Sequence, residues 1–184
     1  MPKARRDLVQ FVEGGYYHLY NRGARRLSIF QDKRDYVFAL KLMKEYCRKF
    51  SLAMIAYCLM PNHYHFLVRQ DGEPRAGLLP QRVFNRYSTV FNKKYSHSGT
   101  LFERRFKAEQ IVDVDHLKHL CRYIHGNPVK DGFVEAVNEW AYSNYPEWAG
   151  IRPGTLVDRQ FVDDCFGGFV AYEEYLQEYL DELD

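Results

Sequence analysis

Two histidines stand one residue apart in the run Met60-Pro61-Asn62-His63-Tyr64-His65-Phe66-Leu67-Val68. Along a β-strand, residues i and i+2 face the same way. His63 and His65 then present two imidazoles side by side, while Tyr64, Phe66 and Val68 turn into an apolar core. Neighbouring imidazoles are a ready pair of ligands for a divalent metal. A bare His-x-His is a weak signal, because two surface histidines on a strand satisfy it equally well. A second constellation follows downstream, where His116, His119, Tyr123 and Asn127 recur at spacings of 3, 4 and 4 along one helical face. Tyr123 and Asn127 are neighbours one turn apart, provided the helix keeps its register past Gly126. In a chain with 15 tyrosines, one on a helix is ordinarily a packing residue; its juxtaposition with the imidazole pair is what favours a functional reading.

The elements that must position these groups follow from periodicity and turn residues. Residues 15–22 read as a strand ending at Gly23, and residues 32–50 as a helix with Asp32 as its N-cap and Tyr36, Leu40, Met43 and Cys47 at helical spacing. Residues 52–59 are apolar and β-rich, Pro61-Asn62 marks a tight connection, and residues 63–69 form the next strand. After a Gly/Pro loop at 71–77, residues 79–95 are helical, with Val83, Tyr87, Val90 and Phe91 on one stripe. Residues 106–112 read as a short strand, and residues 115–126 as a helix stopped by Pro128, packed through Leu117, Leu120, Cys121 and Ile124. The order β-α-β-β-α-β predicts an α+β, ferredoxin-like split βαβ fold: an antiparallel sheet with both helices on one face, followed by an additional tyrosine-bearing helix. The opposite sheet face is expected to be free to bind or catalyse. We expect residues 1–150 to form the domain that carries both constellations and residues 151–184 an acidic, helical C-terminal extension.

The charge distribution names a class of partner. Residues 1–130 hold 24 Lys+Arg against 11 Asp+Glu, a net of +13; residues 131–184 hold 2 against 13, a net of −11; the two add up to the overall +2. A body this basic favours a polyanion, most commonly nucleic acid. The acidic segment either shields that surface or is a solvated helix. No apolar run is long enough to span a membrane and no apolar stretch follows the basic start at residues 1–7, so a cytoplasmic location is expected. Cys47, Cys58, Cys121 and Cys165 form neither a CxxC pair nor a disulfide framework, which makes structural zinc an unlikely prospect and a reducing compartment the default.

Three runs in this order resemble single-tyrosine HUH transposases of the IS200-like superfamily, closest to the REP-associated tyrosine transposases: Tyr17-His18-Leu19-Tyr20-Asn21-Arg22-Gly23, the segment around His63 and His65, and Arg122-Tyr123-Ile124-His125-Gly126-Asn127-Pro128-Val129. The run Gly99-Thr100-Leu101-Phe102-Glu103-Arg104-Arg105-Phe106-Lys107 is similar too, and the likeness covers roughly residues 14–148. The departure is Tyr64, where the family has a bulky aliphatic. The resemblance implies a divalent ion, Mg²⁺ or Mn²⁺, on His63 and His65, with Asn127 as third ligand and Tyr123 as nucleophile. It implies a metal-dependent single-stranded DNA endonuclease and strand transferase that cleaves hairpin-associated DNA through a covalent 5′-phosphotyrosine. A phenol with a pKa of about 10 needs help to ionise, and His119 is the candidate proton-transfer helper.

Basic residues in the same part of the chain are the candidate DNA contacts: Arg22, Arg82, Arg86, Lys93, Lys94, Arg104, Arg105 and Lys107, with Tyr87 and Tyr95 nearby. Of these, Arg104 and Arg105, at a strand start, are the strongest, and Tyr87 is expected to pack inside. The same resemblance leaves monomer and homodimer open. The alternative is a non-catalytic hairpin DNA- or RNA-binding module on the same fold, although the RNP1 run of RNA-binding sheets is absent.

Overall fold

The computed structural model describes residues 9–183, so the basic start at residues 1–7 lies outside the described residues. Chain order runs β1 (Tyr16–Arg22), α1 (Lys33–Lys49), β2 (Leu52–Met60), β3 (His63–Gln70), α2 (Leu78–Tyr95), β4 (Lys107–Ile111) and α3 (Val114–Lys130). Each ladder is antiparallel and the strand order is β2-β3-β1-β4. This is the split βαβ sheet expected from the sequence. Local chemistry sets the joints. Asp32 caps α1 with its carboxylate and Asp35 returns the bond to the Asp32 backbone. Pro61-Asn62 alone joins β2 to β3, and Gly23 closes the end of β1 against that turn by donating its N–H to the Asn62 carbonyl at 2.8 Å. A Cβ on Gly23 would lie 2.2 Å from the Leu27 carbonyl oxygen, so only glycine fits there.

Alternation splits each strand between two cores. Tyr17, Leu19, Tyr64, Phe66 and Val68 pack with Leu42 and Met43 of α1 and with Val83 and Phe84 of α2. The second face is not free, contrary to expectation. Ile55, Ala56, Cys58 and Leu67 pack there against Leu117, Cys121 and Ile124 of α3 and against the C-terminal helices. A register shift between Met54 and Ala56 turns both Ile55 and Ala56 toward this second core. Residues 52–59 are therefore apolar because both of their faces are buried. Only the sheet end that carries the histidine pair stays open.

Helix α3 also runs further than expected. Pro128 does not stop it, and the helix continues to Lys130. An interior proline removes one N–H and costs about 3 kcal/mol. Packing offsets that cost, because Ile124, His125, Gly126, Asn127 and Pro128 are all buried. The register past Gly126 therefore holds, and Asn127 sits one turn from Tyr123.

The acidic segment is helical and docked. After a single turn, α4 (Tyr145–Trp148), come α5 (Arg159–Phe166) and α6 (Phe169–Asp181). Tyr172, Leu176 and Tyr179 of α6 are buried against α3. Gly126 makes that approach possible: a Cβ there would meet the Tyr179 ring at 3.0 Å. No helix among the described residues is long and apolar enough to cross a membrane. All four cysteines are free thiols.

One buried polar knot ties these layers together. Asn144, wholly buried, accepts from the Tyr57 N–H at 2.8 Å and donates to the carbonyls of Ile55 at 2.8 Å and Leu156 at 3.0 Å. Its Oδ1 lies 2.9 Å from Nε2 of His125 on α3, whose Nδ1 meets the Tyr172 hydroxyl of α6. Asn144 thus pins the edge strand β2, α3 and the 150s segment at one point. Asn144→Ala leaves several of these groups unsatisfied and should destabilise the fold by about 3 kcal/mol, read as a lowered midpoint in urea with an unchanged slope.

Burial holds the His125 imidazole neutral, with its pKa lowered to about 4 against 6.5 when unfolded. Between those values the unfolded chain binds a proton that the folded one does not, so stability falls as pH drops from 6.5 toward 4. Urea midpoints should fall across that window, and His125→Gln should flatten the decline. A decline of unchanged steepness in that variant would remove His125 as its cause.

Candidate active site

Register and helix docking bring the two constellations together. In the β1–β3 ladder His63 lies opposite Arg22 and His65 opposite Tyr20. Both imidazoles point to the α3 face, as the alternation required. Helix α3 crosses that face and sets the Tyr123 ring edge-on to His65, with centroids 5.4 Å apart. His63, His65, Tyr123 and Asn127 line one cleft of about 720 Å³. Arg22, Arg104, Arg105 and Lys107 line the same cleft and make it cationic. No residue of the acidic segment 151–184 is in its lining.

The imidazoles are held from behind. Nδ1 of His63 lies 2.7 Å from Oδ1 of Asn62, and Nδ1 of His65 lies 2.9 Å from Nε2 of His18. Among the described residues Nε2 of His65 makes no such bond, while the Asn127 side chain bears on the His63 ring. Burial lowers the pKa of His63, partly countered by the Asp131 carboxylate. His65 is pushed well below the usual histidine range by burial and then by the neighbouring His18 and His63. Burial also lowers His18, to about 4. All three shifts favour the neutral ring, the form that ligates metals.

The amide of Asn127 completes the donor set. Its Nδ2 donates to the Tyr123 carbonyl at 2.7 Å, and its side chain bears on His63. Two neutral imidazoles and an amide oxygen suit a divalent cation that also takes oxygen ligands from substrate. Among the described residues there is no group of three or more His, Cys, Asp or Glu placed to hold a metal.

Not every expected residue is at the cleft. His119 turns toward α6: Arg122 donates to its Nδ1 at 3.2 Å and its ring lies edge-on to Tyr179. It is absent from the cleft lining, which removes the geometric support for a proton-transfer role. Lys94 pairs with Asp32 and Asp35, and Arg86 pairs with Glu45, so both tie α2 to α1 rather than facing the cleft. Lys93 and Arg82 are exposed on the same helix and are likewise outside the cleft. Tyr87 is buried and donates to the Ile29 carbonyl, and Tyr95 donates to Asp35.

The cleft also holds groups that were not foreseen. Tyr20 stacks on His18 at 4.5 Å between ring centroids, and Lys107 lies 5.6 Å from the Tyr20 ring. Its signal was the period of two along His18, Tyr20 and Arg22, which share the face of the histidine pair. Lys130, with Nζ 5.1 Å from the Tyr123 ring centroid, and Asp131 were hidden by ending α3 at Pro128. Lys130 follows Asn127 by three residues and Tyr123 by seven, one helical face once the helix continues.

The family described as Transposase IS200 like matches residues 11–127. A Haemophilus influenzae protein named as a REP-associated tyrosine transposase is 31% identical over 177 residues, covering 82% of this chain and 94% of that protein. The solved structure of a REP-associated tyrosine transposase bound to a REP hairpin shares the fold, with a TM-score of 0.66 at 20% identity over 86% of this chain and 94% of its own. On the family match and the Haemophilus relative together, the chain belongs to the IS200-like transposase family, in its REP-associated tyrosine transposase branch.

Proposed function

We propose that this protein is a metal-assisted single-stranded DNA endonuclease and strand transferase that uses Tyr123 as its nucleophile. Family membership supports transposase-like processing of DNA. The observation that carries the finer reading is the convergence of His63, His65, Tyr123 and Asn127 in one cationic cleft. His63 and His65, with Asn127, would hold Mg²⁺ or Mn²⁺. Such an ion, when bound, neutralises charge on a scissile phosphate and orients it.

The chain's own groups supply the rest. Arg22, Arg104, Arg105 and Lys107 draw the DNA backbone into the cleft and fix its position. Lys130 adds positive charge beside the Tyr123 ring, where an anionic phosphate would lie. The Tyr123 hydroxyl gives up its proton to solvent and its oxygen bonds to phosphorus, the bond from phosphorus to the 3′ oxygen breaks, and the departing oxygen takes a proton from solvent to leave a 3′-OH. The 5′-phosphotyrosine conserves one phosphodiester bond, so a second 3′-OH can reverse the step and join strands without ATP. A structural relative bound to a REP hairpin supports a hairpin-bearing strand as the substrate. A base-stacking module on an open sheet is a poorer fit, because α3 and the C-terminal helices cover much of the sheet face such a module would use.

Labelled single-stranded DNA carrying the hairpin repeats that flank the gene should form a covalent adduct with the protein in Mn²⁺ or Mg²⁺. Tyr123→Phe should abolish the adduct and leave hairpin binding within about twofold, since it removes one hydroxyl from a cleft dominated by cations. Cleavage retained in Tyr123→Phe would overturn the nucleophile assignment, and cleavage resistant to EDTA would overturn the metal's role.

The cationic lining has its own test. The double variant Arg104→Ala/Arg105→Ala should weaken DNA binding across sequences and flatten the dependence of log affinity on log salt by roughly one to two. The pair Arg86→Ala/Lys93→Ala should leave both nearly unchanged. An equal effect of the two pairs on the salt slope would move the DNA surface away from the cleft.

A further inference from the structure

His18 makes the least expected contact at the candidate site. It lies on β1 opposite Leu67, so its ring reaches diagonally across the ladder to His65. Nε2 of His18 is 2.9 Å from Nδ1 of His65, and the two rings stack 5.1 Å apart at 19°. Tyr20 stacks on both, at 4.5 and 5.7 Å. The contact is buried, with each histidine 6% exposed. Its geometry is fixed by strand pairing rather than by a loop.

Two neutral imidazole nitrogens this close share one proton, and only two arrangements are possible. If Nδ1 of His65 accepts, its Nε2 carries the hydrogen and has no lone pair for a metal. If Nδ1 donates, Nε2 is a ligand. His63 shows which sense the site is built for. Its Nδ1 faces Oδ1 of Asn62, which can only accept, while the Asn62 amide nitrogen is directed to the Arg26 carbonyl at 3.4 Å. His63 is thereby set with Nδ1 donating, which leaves the ring's lone pair on Nε2. A ligand pair works only if its second member has the same tautomer.

We propose that His18 is a positioning residue that accepts the Nδ1–H of His65, locks that ring in the Nδ1–H tautomer and aims its Nε2 lone pair at the metal. The assignment rests on the metal reading given under Proposed function. Asn62 and His18 are then equivalent devices, one from the β2–β3 turn and one from β1. Partners of this kind typically matter 10- to 100-fold for metal affinity.

The test needs no turnover. In metal-free protein with ¹⁵N-labelled histidine, long-range ¹H–¹⁵N correlations should show both His63 and His65 as Nδ1–H tautomers. In DNA-free Mn²⁺ titrations followed by electron paramagnetic resonance, His18→Leu should raise the dissociation constant roughly 10- to 100-fold. His18→Gln, whose amide oxygen can accept the same hydrogen, should recover most of that loss. Hairpin binding in EDTA should be unchanged in both, and thermal melts establish that both are folded. An Nε2–H tautomer at His65 in the unsubstituted protein overturns the assignment, even if His18→Leu fails to fold. So does a folded His18→Leu that binds Mn²⁺ within twofold of the parent. Unsubstituted protein that binds no Mn²⁺ overturns the metal reading itself, a different outcome from parent binding that His18→Leu leaves intact.

Discussion

The docking of α3 across the second face of the sheet is the contact on which the candidate site depends. The imidazoles sit on β3 and the phenol on α3, and no covalent proximity links them. The 5.4 Å between the His65 and Tyr123 ring centroids is set by Cys121 and Ile124 packing against β2 and β3. Close-packed interiors resist sliding because a shift of even one methylene opens a void or a clash. A helix seated on such a surface holds its outward residues to a fraction of an ångström without any bond to them. The Asn144–His125–Tyr172 knot adds direction to that packing, since buried hydrogen bonds are satisfied in one register only.

Much of this arrangement could be read from the chain. Period-two patterning placed Tyr64, Phe66 and Val68 in a core and His63 and His65 on the other face, and the ladders agree. The cap at Asp32 and the turn at Pro61-Asn62 were equally readable, because each is decided by a few adjacent residues. The failures share one cause, a contact between distant segments. Pro128 opposes helix locally, and only burial of residues 124–128 against distant segments reverses the balance. The covered second face was missed for the same reason. Leu117, Cys121 and Ile124 announced that α3 packs on something, but nothing local said that it packs on the sheet with α5 and α6 behind it. Lys94 and Arg86 looked like free cations in the sequence, yet their carboxylate partners are about forty to sixty residues away.

The charge asymmetry takes a different meaning in three dimensions. The acidic segment reads as a possible shield for the basic body. It packs instead through Tyr172, Leu176 and Tyr179 and contributes Asp131 alone to the cleft lining. Arg122, beside the candidate nucleophile in sequence, faces the opposite way and lies 4.2 Å from the Tyr175 ring centroid and 5.3 Å from that of Tyr179. The helix thus separates its cations by face. Arg122 fastens the C-terminal layer, while Lys130 stays with Tyr123 in the cleft.

Burial and charge also act in opposite senses on the two halves of the site, a split that the proposed metal chemistry at a phosphate would need. Around the histidines, burial and neighbouring imidazoles disfavour the protonated rings. A few ångströms away the cleft wall is arginine and lysine, which favours anions. Exposed histidines in so cationic a setting would still be partly protonated near pH 6 and would repel a divalent ion. Sinking them into the sheet, behind His18 and Asn62, keeps their lone pairs available for the proposed ion and leaves the exposed arginines to meet the proposed phosphates. The strand pair therefore has to be rigid and dry at its back and open at its front, which is the arrangement produced when α3 covers one half of the sheet face and leaves the other bare.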